Sequence, residues 1–269
     1  MSLSTEAVSK VVGIKILKRN GTTEDFSRDK LVRSLKLAGA PPDPDLVIKV
    51  LNIKGTVPSS ELSDRVQLIM LNMVTDDLRW HDAARNYLLW SVYKQVWGKD
   101  VVKAINDGRA KFEDAYREGF RTWFRAGLEH RIWDSEMSAW YAQHIDELAK
   151  YLDPSRDLLL TYNGVRTLMS RYLLKRLDGT FFETPPQYLW MRTAMGVAYA
   201  ELKYGGDPIT WSRRFYDLMS QLKLMPNSPT LYNAMTRLGQ LSACFVVPID
   251  DCLSRESDTN RRIQSATSE

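Results

Sequence analysis

The stretch Gly13-Ile-Lys-Ile-Leu-Lys-Arg-Asn-Gly-Thr-Thr-Glu-Asp-Phe26 decides how the first third of the chain is read. Residues 12–18 alternate as a half-buried strand does, with Val12, Ile14 and Ile16 on one face and Lys15 and Leu17 on the other. Asn20-Gly21 supplies the two positive-φ residues that a type I′ hairpin favours. The chain then returns through Thr22–Phe26. Ser27 is placed to cap a helix that carries Leu31, Leu35 and Ala38 on one side and is closed by Gly39.

Working outward, Pro41, Pro42 and Pro44 mark a loop. A helix follows with Leu62, Val66, Ile69, Met70 and Met73 on one stripe. Another carries Ala84, Leu88, Val92 and Val96 beside Leu89 and Tyr93, with Gly98 after it. A β-hairpin covered by helices over 12–98 is the expected first domain. Residues 99–153 read as a helical connector in which basic residues interleave with Trp123, Phe124, Trp133, Trp140 and Tyr141. Six acidic residues from Glu113 to Glu136 dilute that charge, so the segment is read as packing and not as a nucleic-acid surface.

A second helical domain is expected over 154–225. Val165, Leu168, Met169, Tyr172 and Leu173 form one stripe. Thr184 before Pro185-Pro186 reads as the cap of a helix that Gly205-Gly206 ends, and Trp211, Phe215, Leu218, Met219 and Leu222 predict a third helix. Residues 226–252 turn to prolines and the apolar run Cys244-Phe-Val-Val247, read as a strand. The first 11 residues and the polar tail 253–269 are expected to be disordered.

Composition narrows the function. Hydrophobic residues make up 44% and charged residues 26% of 269, an ordinary globular balance. No run approaches the roughly 20 apolar residues of a membrane span, and the start lacks the apolar core of a secretory signal. Two cysteines build neither a disulfide framework nor a structural zinc site, which suits a cytoplasmic setting. With 37 Lys+Arg against 33 Asp+Glu, the net charge of +4 suits an anionic small ligand better than a nucleic acid.

Two segments carry chemistry. In the first, Lys18 and Arg19 flank the hairpin turn, with Glu24 beyond it and Lys30 on the next helix. Clustered cations beside turn amides can hold a polyphosphate, because charge-assisted bonds to phosphate are the strong ones. The same residues also suit a solvated hairpin tip.

The wording of this segment resembles the ATP-cone, the regulatory nucleotide-binding domain at the start of many ribonucleotide reductase large subunits. The resemblance rests on Ile16-Leu-Lys-Arg-Asn-Gly-Thr-Thr-Glu24, on Asp29-Lys30-Leu31 and on Ala84-Arg85 with Tyr93-Lys94. It implies that Lys18, Arg19, Glu24, Lys30 and Lys94 contact ATP or dATP as an allosteric effector. Asn20 stands where that family usually has Asp.

The second segment is Pro226-Asn-Ser-Pro-Thr-Leu-Tyr-Asn-Ala-Met-Thr-Arg-Leu-Gly-Gln-Leu-Ser-Ala-Cys-Phe-Val-Val-Pro-Ile-Asp-Asp251. Taken alone, Cys244 there is a small buried hydrophobe. The segment resembles the reductase signature of a Pro-Thr/Ser-Pro loop followed by Gly-Gln-Leu-Ser-Ala-Cys. Upstream, Leu158-Leu-Leu-Thr-Tyr-Asn-Gly-Val-Arg166, Tyr172-Leu-Leu-Lys175 and Glu183-Thr-Pro-Pro-Gln-Tyr resemble the helical domain that opens the catalytic region. The wording is nearer the adenosylcobalamin-dependent and archaeal type than the common aerobic bacterial one.

The resemblance implies a mainly α fold with a small β-hairpin: an ATP-cone, a helical domain, and the first strand of an incomplete α/β barrel. It implies that Cys244 is one member of the redox-active pair that reduces the ribose 2′ carbon, and that Ser228 and the Ala243–Cys244 backbone bind substrate. The radical cysteine and the pair's second member come later in that family, and Cys252 lies too near Cys244 to be that partner. A truncated or split reductase is therefore expected, inactive alone and completed by the remaining polypeptide or by a homo-oligomer. Its radical would come from adenosylcobalamin or a metal-radical small subunit not bound here. The alternative is a stand-alone ATP/dATP-sensing module that docks on a partner.

Overall fold

The computed structural model of the chain describes residues 13–18, 20–97 and 108–246. The expected disordered ends, the turn residue Arg19 and Cys252 lie outside them. The chain divides into two compact units: residues up to Val92 together with Leu160–Arg166, and Tyr93–Leu159 together with Thr167 onward.

In the first unit, β1 (Lys15–Leu17) pairs antiparallel with β2 (Thr23–Asp25) in the register Leu17↔Thr23. The alternation holds: Ile14 and Ile16 are buried with Ile53 and Val57, and Phe26, Leu51 and Leu62 pack around them. The turn is longer than the type I′ expectation. Lys18 N donates to Thr22 O and Gly21 N to Lys18 O, which leaves a three-residue loop with Gly21 at φ +80°. Asn20 closes that loop by accepting from Thr22 N at 3.2 Å and Thr22 Oγ1 at 2.7 Å.

Helix α1 (Arg28–Leu37) is capped by Ser27, whose Oγ accepts from Lys30 N, and it buries Leu31 and Leu35. After α2 (Asp45–Val50), the short strand β3 (Thr56–Pro58) runs parallel to β1 and completes a sheet ordered β2-β1-β3. α3 (Ser59–Asn72) then buries Val66, Gln67 and Met70. α4 (Arg79–Trp97) buries Ala84, Leu88, Leu89, Val92 and Tyr93, as its stripe predicts. From α4, Asn86 Nδ2 donates to Ala38 O at the end of α1. Residues 160–166 also belong to this unit. There Tyr162 donates its hydroxyl to Gln67 Oε1 at 3.0 Å, while Gln67 Nε2 donates to Ser63 O and Oγ, so both ends of this buried amide are satisfied.

The second unit is helical. α5 (Arg109–Glu129) buries Tyr116, Phe120, Trp123 and Phe124, so the aromatics of the expected connector are packed. α5 also lets Trp133 approach: a Cβ on Gly127 would fall 1.9 Å from that indole, whose Nε1 donates to Phe124 O. α6 (Ser135–Tyr141) and α7 (Ile145–Tyr151) follow, and a 3₁₀ turn covers Pro154–Leu159. α8 (Tyr162–Thr167) crosses the unit boundary into a π turn, Leu168–Tyr172.

α9 (Pro186–Ala198) is the central helix, buried at every position but Val197. Its N-cap is Pro185, not Thr184: Thr184 precedes a cis Pro185 bond, and its buried hydroxyl has no hydrogen-bond partner among the described residues. After α9, a 3₁₀ turn (Tyr199–Tyr204) ends at Gly205 with φ +73°, close to the expected stop. α10 (Pro208–Ser220) packs on α9 through Ile209, Ser212, Tyr216 and Met219. Of the predicted stripe, Met219 is buried, whereas Trp211 and Phe215 are half-buried and Leu218 and Leu222 are exposed. The small Ser212 fits against α9, and the larger aromatics do not compete for that space. α11 (Ser228–Asn233), capped by Asn227, ends the described fold.

Candidate functional site

Two places collect the residues expected to carry chemistry. On the hairpin unit, Lys18 leaves the end of β1, Glu24 sits in the middle of β2, and Lys30 lies one turn into α1. Lys18 Nζ reaches Glu24 Oε1 at 2.5 Å and Lys30 Nζ reaches Glu24 Oε2 at 3.2 Å. The contact with Lys18 holds the Glu24 carboxyl below its ordinary range. Lys30 adds to that, while partial desolvation opposes it. The two ammonium groups thus share one carboxylate, leaving one net positive charge among these three groups. All three groups remain open to solvent, so an incoming anion can compete for either lysine. Three of the five expected effector contacts are therefore brought together. Arg19 lies outside the described residues. Lys94 is exposed near the end of α4, in the part of the chain assigned to the second unit.

The other place is the loop around α11. Asn227 Oδ1 accepts from Thr230 N at 3.0 Å and also from Thr230 Oγ1. Ser228 is half-buried, and its Oγ lies 3.2 Å from the Tyr172 hydroxyl. The same Thr230 hydroxyl, with its single proton shared, also lies 2.9 Å from Leu241 O, and Asn233 Nδ2 donates to Gln240 O at 2.8 Å, so the following segment folds back along α11. Ala243 and Cys244 continue from there, both exposed, with Cys244 a free thiol. The strand expected from Cys244 is not formed across 244–246. That segment has no neighbouring strand among the described residues, and an isolated apolar run has nothing to complete its ladder.

The loop is held by residues that no motif singled out. Arg192, from α9, is fully buried and pairs with the equally buried Glu183, Nε to Oε1 at 2.7 Å and Nη2 to Oε2 at 3.1 Å. Its other N–H groups donate to Leu231 O at 2.7 Å and Ala234 O at 2.8 Å, closing the C-terminal end of α11. Glu183 Oε2 also accepts from Leu174 N at 3.3 Å. Gly196 permits the close approach this needs, since a Cβ there would lie 2.3 Å from Met235 N. Nearby, Asp134 N donates to Met235 O and Arg237 N to Ile132 O. Glu183 opens a stretch quoted for its resemblance, but nothing in its nine-residue spacing from Arg192 announces an ion pair.

Elsewhere in the second unit, Asp157 is buried among Tyr93, Tyr116 and Gln187, which donate to its carboxylate at 2.5, 2.8 and 2.9 Å. Burial pushes its pKa up to about 6 in spite of those bonds. A groove of about 580 Å³ is lined by Asp114, Arg117, Glu118, Arg121 and Lys150. Its arginines are paired to neighbouring carboxylates, so it offers little to an anion. Among the described residues no group of three or more His, Cys, Asp or Glu could hold a metal ion, and no helix is long and apolar enough to cross a membrane.

One comparison with known proteins covers α11 and its supports. The family model described as "Ribonucleotide reductase, all-alpha domain" matches residues 158–239. The chain is 29% identical over 256 residues to the ribonucleoside-diphosphate reductase subunit alpha of Chlamydia trachomatis, an alignment covering 93% of this chain and 23% of that protein. It is 25% identical over 305 residues to a vitamin B12-dependent ribonucleoside-diphosphate reductase of Thermoplasma acidophilum, covering 89% and 33%. A shorter alignment to the vitamin B12-dependent enzyme of Mycobacterium tuberculosis reaches 44% over 117 residues, covering 42% and 17%.

Residues 158–239 are thus a ribonucleotide reductase all-alpha domain. The chain as a whole is related to the large subunits of that enzyme, and it spans 23% of the length of the chlamydial relative.

Proposed function

We propose that this chain is the N-terminal portion of a ribonucleotide reductase large subunit, joining an effector-binding hairpin unit to the helical domain that opens the catalytic region. The observation that carries this reading is the match of residues 158–239 to the reductase all-alpha domain, because that stretch contains Ser228 and the residues that hold it. In this reading Lys18, Arg19, Glu24, Lys30 and Lys94 bind ATP or dATP. The two lysines on Glu24 exchange a carboxylate for phosphate oxygens when the nucleotide arrives.

In the same reading Ser228 and the Ala243–Cys244 backbone contact the ribonucleotide. Cys244 is one of two thiols that together give two electrons and two protons. The ribose 2′ carbon gains hydrogen, its hydroxyl leaves as water, and the two sulfurs become a disulfide. The thiyl radical and the second thiol of the pair would come from the rest of the polypeptide or a further copy. This chain alone is therefore inactive. Adenosylcobalamin, named for two of the relatives, or a metal-radical small subunit would supply the radical; no residue of this chain is assigned to either.

The test is to combine the chain with a polypeptide carrying the remainder of such a subunit and measure conversion of a ribonucleoside diphosphate to its deoxy form. Turnover that Cys244→Ser removes supports the reading, and turnover that survives the substitution overturns it. A second reading, a stand-alone ATP/dATP sensor, is favoured by the way Lys18, Glu24 and Lys30 all converge within the first unit. Saturable ATP binding with no turnover in any mixture supports that one.

A further inference from the structure

We infer that Tyr172 is a positioning residue that fixes the Ser228 hydroxyl for a phosphorylated ligand. The inference rests on the reading of Ser228 as a substrate contact. Tyr172 closes the π turn Leu168–Tyr172, and its phenol oxygen lies 3.2 Å from Ser228 Oγ. Its ring stacks on Tyr232, one turn further along α11, with centroids 5.1 Å apart and planes inclined by 16°. The stack sets the ring along the flank of α11, so its hydroxyl addresses the first residue of that helix.

Both partners are anchored to one buried framework. Leu173 N donates to Leu168 O at 2.9 Å, and Leu174 N donates to Glu183 Oε2, fixing the backbone just after Tyr172. Arg192, paired to that same Glu183, holds the carbonyls of Leu231 and Ala234 on α11. The backbones that carry the two hydroxyls are therefore tied to one buried ion pair.

The chemistry follows from what a hydroxyl can do. A serine oxygen carries one proton and two lone pairs, and its rotor is free unless a neighbour occupies one of them. When Tyr172 donates to Ser228 Oγ, the serine proton is left to point at an anionic oxygen, and the two bonds in series strengthen each other. A ligand oxygen then meets a donor that has already lost its rotational freedom.

The experiment measures the affinity of the full chain for a ribonucleoside diphosphate by calorimetry or nuclear magnetic resonance titration. Four variants are compared with the unaltered chain: Tyr172→Phe, Ser228→Ala, both together, and Tyr232→Phe. Tyr172→Phe keeps the stack and loses one hydrogen bond, so affinity falls about fivefold at unchanged melting temperature. The double variant binds no more weakly than Ser228→Ala alone, because Tyr172 acts through the serine. Tyr232→Phe binds as the unaltered chain does. Binding that Ser228→Ala weakens but Tyr172→Phe leaves intact overturns the inference and spares the reading beneath it. So do losses that multiply in the double variant. Absence of saturable binding by the unaltered chain removes both.

Discussion

Arg192 and Glu183 form an ion pair with no access to solvent, and the same guanidinium closes the C-terminal end of the helix that begins at Ser228. Removing one partner of such a pair leaves an uncompensated buried charge, which costs about 3–5 kcal/mol. Arg192→Met and Glu183→Gln are each expected to lower the urea-unfolding free energy by that order. Arg192→Lys is expected to fall short of full rescue, because a single ammonium cannot reach both carboxylate oxygens and two carbonyls at once. An unfolding midpoint unchanged in Arg192→Met would contradict the assignment of this pair as the support of the loop.

Gly196 supplies the second constraint on the same loop. Gly196→Ala drives a methyl group into the backbone at Met235, 2.3 Å away, where no flexible side chain can yield. Overpacking of this kind costs about 1–3 kcal/mol, so the variant is expected to melt several degrees lower. Hydrogen exchange should quicken at Asp134 and Arg237, whose amides tie residues 132–134 to 235–237.

At the hairpin, Lys18→Ala combined with Lys30→Ala should leave folding almost untouched, since exposed ion pairs contribute about 0–1 kcal/mol. Affinity for ATP or dATP, followed by calorimetry, is expected to fall by at least about tenfold, as losing a hydrogen bond to a charged group costs about 1.5–3 kcal/mol. Equal affinity in the double variant would remove the effector role of these lysines.

Asp157 makes the second unit sensitive to pH. Its carboxyl moves from the ordinary 3.8 to about 6 on burial, so the folded state holds the proton more tightly than the unfolded chain. The sign follows: this contribution to stability is complete below pH 3.8 and is lost as pH rises through about 6. With about 1.4 kcal/mol per pKa unit, the swing is on the order of 3 kcal/mol. Urea midpoints measured between pH 4.5 and 7.5 should show a downward slope attributable to this group. Asp157→Asn should flatten it, whereas an identical slope in the variant would place the titration elsewhere.

Cys244 is exposed and free, so thiol reagents should label it in the native chain at the rate of an unhindered thiol. In a Cys252→Ser background, Cys244→Ser should abolish labelling while leaving the circular dichroism spectrum and ATP affinity unchanged. Slow labelling that speeds up only on unfolding would show a covered thiol.

The hairpin was legible because Ile14 and Ile16 alternate with Lys15 and Leu17, and the sheet buries one face. Its third strand was not: Thr56-Val-Pro58 has a single inward residue, Val57, and a proline at its end, which leaves no period to detect. In α10 two stripes of helical spacing overlap. Reading by hydrophobicity chose Trp211, Phe215, Leu218, Met219 and Leu222, whereas packing kept Met219 and added Ile209, Ser212 and Tyr216, because a neighbouring buried helix favours a close fit over bulk. Ser228 and Cys244 were readable only through the wording of their loop. Arg192, Glu183 and Tyr172 matter through contacts between distant positions, and such contacts leave no local pattern.

The seven residues Leu160–Arg166 have a consequence for how this protein is put together. They lie in the stretch that matches the reductase all-alpha domain, yet they fold with the hairpin unit, where Tyr162 completes the hydrogen bonding of Gln67. The polypeptide thus leaves the hairpin unit, returns to it, and leaves again. A module interleaved in this way cannot be exchanged between genes as a bead on a string without taking part of its neighbour along, and a piece cut after residue 98 would leave Gln67 Oε1 without the Tyr162 hydroxyl that donates to it.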